Sequence, residues 1–120
     1  MNINNYKTIA NNILIAEFMN IEQNDGCFLY DAQIGTEHIP PECLQYNDNW
    51  DWLMQVVEQI ERYETVDIDI LQYGTKIHNY KTGFEYANNI GNISFNNKIE
   101  HTYNAVVEFI SNLDNNIKNF

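Results

Sequence analysis

"TVDIDILQYGTKIHNY" (residues 65–80) is the stretch that decides the fold class. Val66, Ile68 and Ile70 alternate with Asp67 and Asp69, the period of two that turns one set of side chains to a core and the other to water. "YG" at 73–74 signals a turn, and "TKIHNY" behind it reads as an antiparallel partner. A sheet with one wet face needs an apolar layer over the other, and the flanking segments provide helices for it.

The nearest is "YNDNWDWLMQVVEQIERYE" (46–64), which holds both tryptophans. Trp50 and Trp52 are separated by about 200° on a helix, so they cannot both point to the middle of one core. On the wheel an apolar arc runs from Trp52 through Val56, Ile60, Leu53 and Val57 to Trp50 and Met54. Asp51, Gln55, Glu58 and Arg62 face the other way. Asn49 is placed to cap this helix, with Asp51 at the positive end of its dipole. The last helix is expected from about Asn97 to Ile117. Ile99, Tyr103, Val106, Val107, Phe109, Ile110, Leu113 and Ile117 fall in an arc of roughly 160° and leave His101, Asn104 and Glu108 outside it. From about Tyr6 to Ile21, apolar residues surround the axis. That predicts a helix central to the fold, or one lending a face to a second copy.

"NDG" at 24–26 marks a turn, and "CFLYDAQI" after it reads as a strand that Pro40 and Pro41 close. Residues 82–97 read as a hairpin, or a loop with a short strand. The expected architecture is α+β: one domain spanning 1–120, an antiparallel sheet of three to five strands, and three helices packed mainly against one face. No apolar run reaches the roughly 18 residues of a membrane span. The start "MNINNYKTIANN" lacks a secretory pattern, so Cys27 and Cys43 are expected as reduced, buried thiols.

Seventeen acidic residues stand against six basic ones, a net charge of -11. Residues 1–70 hold thirteen acids against Lys7 and Arg62, whereas the charges of 71–120 cancel. The chain also holds twenty asparagines, as an AT-rich genome produces; lysine has not risen with them, so the charge reads as selected. It serves solubility in any case. It also repels nucleic acid and membrane surfaces and attracts basic proteins. Asp48, Asp51, Glu58, Glu61, Glu64, Asp67 and Asp69 form a nearly continuous acidic series.

Motifs that carry chemistry are missing from the pattern. His38, His78 and His101 show no metal-ligand spacing, and neither a metal nor a cofactor is expected. Ser94 and Ser111 lack a nucleophile-elbow context, Cys43 and His38 are a weak pair, and Gly83 and Gly91 stand alone. Asp67 and Asp69 followed by Lys76 have the acid-then-lysine order of restriction-type nucleases, but Gly74 occupies the place of the acid that should precede the lysine. A carboxylate-rich surface would also repel such a substrate.

"WDWLMQVVEQIE" (50–61) and "KIEHTYNAVVEFI" (98–110), in that order, resemble segments of a family of short bacteriophage and prophage proteins. The resemblance implies a mobile-element origin and action in the cytoplasm of a bacterial host, and it brings no catalytic residues. As a class, small acidic phage proteins resemble inhibitors of host defence, anti-CRISPR proteins among them. The expectation is therefore a non-enzymatic protein that binds a basic, nucleic-acid-handling partner such as a CRISPR effector. Its contact residues would be Trp50, Asp51, Trp52, Glu58, Glu61, Glu64, Asp67 and Asp69. Direct binding of nucleic acid or membrane is not expected. The alternatives are a homo-oligomeric assembly module joined through the first helix and, behind it, a metal-dependent nuclease.

Overall fold

A computed structural model of the chain describes residues 5–31, 34–72, 74–88 and 98–118. The architecture is α+β. Helix α1 (Tyr6–Phe18) leads into strands β1 (Gln23–Asn24), β2 (Cys27–Asp31) and β3 (Thr36–Ile39). A 3-10 turn at Pro41–Cys43 then precedes helix α2 (Trp50–Glu61), strands β4 (Val66–Leu71), β5 (Gly74–Asn79) and β6 (Glu85–Asn88), and helix α3 (Lys98–Lys118). Three helices and antiparallel strands agree with the expectation, but the strands divide into two sheets, β1-β2-β3 and β4-β5-β6.

The division has a local cause. "CFLYDAQI" is not one strand: β2 ends at Asp31, and "TEHI" returns as β3, pairing Tyr30 with Glu37 and Phe28 with Ile39. Gly35, at φ 76°, lies in the reversal. Pro40 and Pro41 then stop the ladder and start the 3-10 turn, which sends the chain into α2 instead of into a further strand. The "NDG" turn joins β1 to β2. Asn24 pairs with Cys27 across Asp25 (φ 52°) and Gly26 (φ 78°), and two left-handed residues make the type I′ turn that suits a hairpin.

Helix ends follow their side chains. The Asn5 and Asn49 side chains accept from the backbone N–H groups of Thr8 and Asp51 and cap α1 and α2. α1 ends with Asn20 left-handed at φ 58°, Ile21 N–H donating to the Ala16 carbonyl and Asn20 N–H to that of Glu17. This is a Schellman ending with asparagine in the glycine position.

In the second sheet Val66 and Ile77 are buried, with Ile68 and Ile70 partly so, while Asp67 and Asp69 are exposed as the alternation requires. α3 lies on the inner side against β5 and β6, α2 packs beside β4, and α1 packs on α3 and the Pro41–Cys43 turn. The centre is therefore α3, and the expectation for α1 is corrected. α1 buries fully only Asn12, Ile15 and Ala16, whereas Lys7, Ala10 and Glu17 are exposed on its outer side. α3 buries His101, Thr102, Tyr103, Ala105, Val106, Phe109 and Ile110. Each large side chain among these contributes about 1.5–3 kcal/mol by leaving water.

His101, expected outside the buried arc, lies inside it: the sheet meets one ring nitrogen, while its buried Nε2 has no hydrogen-bond partner among the described residues. Its Nδ1 is 2.8 Å from Thr75 Oγ1, which lies 2.9 Å from Thr102 Oγ1. Thr102 donates its own proton to the Lys98 carbonyl. Thr75 must then donate to Thr102, and His101 Nδ1–H to Thr75, which assigns the tautomer. Asn12 plays a similar part between α1, α3 and the loop before α2. Its Nδ2 donates to the Leu44 carbonyl and to Asn47 Oδ1, and its Oδ1 accepts from the Tyr103 hydroxyl. Cys27 and Cys43 are free thiols as expected, but the first is only half-buried and the second exposed.

Candidate protein-binding surface

The solvent side of α2 is built by its own periodicity. Leu53, Val56, Val57 and Ile60 are buried, so Trp50, Asp51, Met54, Gln55, Glu58 and Glu61 are left facing outward. Trp50 and Met54, one turn apart, are each 36% exposed. Together with Ile70 of β4 and Lys98 they line an open depression of about 440 Å³. Asp51, Glu58 and Glu61 lie on the same exposed side of the helix, and Glu64 follows in the turn to β4. Among the described residues no base lies within ion-pair distance of these four carboxylates; the ion pairs found join Lys76 and His78 to Glu85.

Trp52 is placed elsewhere. It turns toward the first sheet, where its ring centroid lies 4.7 Å from that of Tyr30, and 5.2 Å from that of Tyr46 in an edge-on contact. The Tyr30 and Tyr46 hydroxyls are 2.6 Å apart. Burial, and then the Tyr30 hydroxyl, push Tyr46 well above the usual tyrosine range; burial also raises Tyr30, partly offset by its bond to Tyr46. These rings form one wall of a cleft of about 490 Å³ that also includes Met19, Ile39, Glu37 and Gln55.

Asp67 and Asp69 are not part of the α2 surface. Ile70 faces α2, so the alternation of β4 puts both aspartates on the opposite side of the sheet. There Asp67 accepts from the Tyr80 hydroxyl and Asp69 pairs in register with Lys76. Lys76 Nζ is 3.0 Å from Glu85, and His78 Nδ1 is 3.5 Å from it. Lys76 holds the Glu85 carboxyl below the usual range, and Glu85 raises Lys76. The continuous acidic series of the sequence is thus two surfaces. One is uncompensated on α2, and the other is a network of mixed charge on the second sheet.

The nuclease arrangement gains one feature and lacks another. Asp67, Asp69, Lys76 and Glu85 share a shallow depression with His78 and Tyr80. Among the described residues, however, no group of three or more His, Cys, Asp or Glu side chains is placed to hold a metal ion. No described helix is long and apolar enough to cross a membrane.

Tyr30, Tyr46 and Glu37 are not among the expected contact residues. "CFLY" places Phe28 and Tyr30 on one side of a strand, but only the pairing with β3 and the approach of α2 bring Glu37 and Trp52 to them. No family model, curated protein or solved structure matches the chain.

Proposed function

We propose that this chain is a non-enzymatic binding protein that docks on a basic, nucleic-acid-handling protein through the outer side of α2. One observation carries the reading: Asp51, Glu58, Glu61 and Glu64 lie without counter-ions among the described residues, along the helix whose outer side also exposes Trp50 and Met54 at its start. Uncompensated carboxylates steer a basic partner and fix its orientation, and a tryptophan with an apolar neighbour supplies contact area that charge alone does not. Phosphate-binding surfaces present lysine and arginine in rows, so such a helix competes for them as a nucleic-acid backbone does. Together with the resemblance to phage and prophage proteins, this supports an inhibitor of a host-defence effector, of anti-CRISPR type, acting in the bacterial cytoplasm.

The reading is tested by affinity capture from host lysate, and then with the purified partner, using the wild type and the Glu58→Lys/Glu61→Lys/Glu64→Lys variant. Captured proteins should be basic and absent from the variant's eluate. Equal capture by the charge-reversed protein contradicts the proposal.

A further inference from the structure

We infer that the cleft between β2, β3 and the start of α2 is a receptor for an arginine side chain. The inference deepens the proposed function and rests on it for the source of the arginine, a protein partner.

The wall is aromatic and fixed. Tyr46, 3% exposed, sits beneath Trp52 edge-on and ties its hydroxyl to that of Tyr30. Trp52 and Tyr30 are only partly buried. Tryptophan and tyrosine faces carry the negative side of the ring quadrupole and attract a cation. Both tyrosines are held neutral well past physiological pH, so the wall itself brings no charge.

The charge beside the rings comes from Glu37, and Asp31 at the end of β2 also lines the cleft. Glu37 lies opposite Tyr30 in the β2–β3 register, so both side chains leave the sheet on the same side, the side on which Phe28 and Ile39 are buried. Glu37 is exposed and has no ion-pair partner among the described residues. Gln55 adds an amide at the rim, and no described residue lining the cleft is basic. A volume of about 490 Å³ exceeds one side chain and leaves room for the peptide carrying it.

Arginine fits this combination better than lysine. A planar guanidinium can lie flat on an aromatic face while its edge N–H groups donate to a carboxylate. An ammonium group is a strongly hydrated point charge and gains less from a flat wall. Partly exposed rings, an unpaired carboxylate in register with one of them and no basic residue among the described lining make up this combination.

The test uses the side chain alone, so its result does not depend on any partner. Nα-acetyl-arginine methylamide is titrated into the ¹⁵N-labelled full chain and followed by heteronuclear NMR, with the citrulline and lysine analogues as controls. A ligand of this size is expected to bind with Kd of about 1–10 mM. The Trp52 indole N–H should shift, together with the amides of Tyr30 and Glu37. Citrulline, neutral and nearly isosteric, should not bind, and lysine should bind several-fold more weakly. Glu37→Gln, at an exposed position, should keep the native spectrum and weaken arginine by about three- to ten-fold. Trp52→Phe should weaken it further.

Equal binding of arginine and citrulline, an unchanged Kd in Glu37→Gln, or shifts centred on Trp50 would each overturn the inference. Lysine binding as tightly as arginine would overturn the choice of ligand. Should arginine fail to bind while charge reversal on α2 still abolishes capture, the cleft inference falls and the proposed function stands. Should arginine bind while capture is indifferent to the reversal, the proposed function falls and the cleft remains an arginine receptor.

Discussion

Asn12 is the side chain on which the junction of α1, α3 and the loop before α2 depends, and Asn12→Ala should be among the costliest polar substitutions in the chain. Asn12 is fully buried and makes three side-chain hydrogen bonds, to the Leu44 carbonyl at 3.1 Å, Asn47 Oδ1 at 3.0 Å and the Tyr103 hydroxyl at 2.8 Å. Alanine leaves the Leu44 carbonyl and the Tyr103 hydroxyl buried and short of a partner, at about 1–3 kcal/mol each. Asn47 is only partly buried and recovers water, and Tyr103 keeps a longer contact to the Thr8 carbonyl at 3.4 Å. The expected loss is therefore about 3 kcal/mol, a large part of the roughly 5–15 kcal/mol of an ordinary domain. Tyr103→Phe removes one donor and should cost about 1–2 kcal/mol. Because the two share a bond, the double variant should lose about 1 kcal/mol less than the sum of the singles. Urea unfolding followed by tryptophan fluorescence reads these differences, provided the m-value is unchanged. A loss below about 1 kcal/mol for Asn12→Ala, or strict additivity with Tyr103→Phe, refutes the junction as described.

Other outcomes can be checked with the same protein. Asn20→Gly should stabilise it by about 0.5–1 kcal/mol, measured by thermal melting, because the Schellman position is left-handed and glycine adopts it without strain. Tyr46 and Tyr103 are raised by burial above their ordinary value of 10.0, so above that pH the unfolded chain releases protons that the folded chain retains. Their stabilisation is complete below pH 10.0 and declines as pH rises further, each by up to about 1.4 kcal/mol per pH unit, as denaturation midpoints across an alkaline series would show. His101 should give the ¹⁵N signature of a ring protonated on Nδ1; a ring with its proton on Nε2 alone would contradict the Thr75–Thr102 relay. The Glu58→Lys/Glu61→Lys/Glu64→Lys variant should melt no more than a few degrees from wild type, since all three sites are exposed.

How much the sequence discloses depends on whether a residue's neighbours are local. The alternation of Val66 to Ile70, the Asn49 cap and the apolar faces of α2 and α3 are properties of single elements, and they are legible from spacing alone. β3 is not, because "TEHI" exposes three of its four residues and carries no apolar alternation. Missing that strand hides the sheet of β1, β2 and β3, and with it the register that sets Glu37 beside Tyr30. His101 and Asn12 are polar residues buried by partners far along the chain, Thr75 and Tyr103, which no periodicity announces. The acidic series is legible in composition but not in space. Spacing of two on a strand and three or four on a helix sends Asp67 and Asp69 to one surface and Glu58 and Glu61 to another. The paired tryptophans divide in the same way, Trp50 to the acidic surface of α2 and Trp52 to the aromatic cleft.

The proposed function is a binding surface for a basic protein, made by the exposed carboxylates of α2. Its most direct test is the dissociation constant of the captured, purified partner measured across an ionic-strength series, for wild type and for the Glu58→Lys/Glu61→Lys/Glu64→Lys variant. Wild-type affinity should fall about ten-fold or more between roughly 50 and 500 mM salt, and the variant should bind weakly throughout. An affinity indifferent to salt, equal in wild type and variant, would contradict the proposed function.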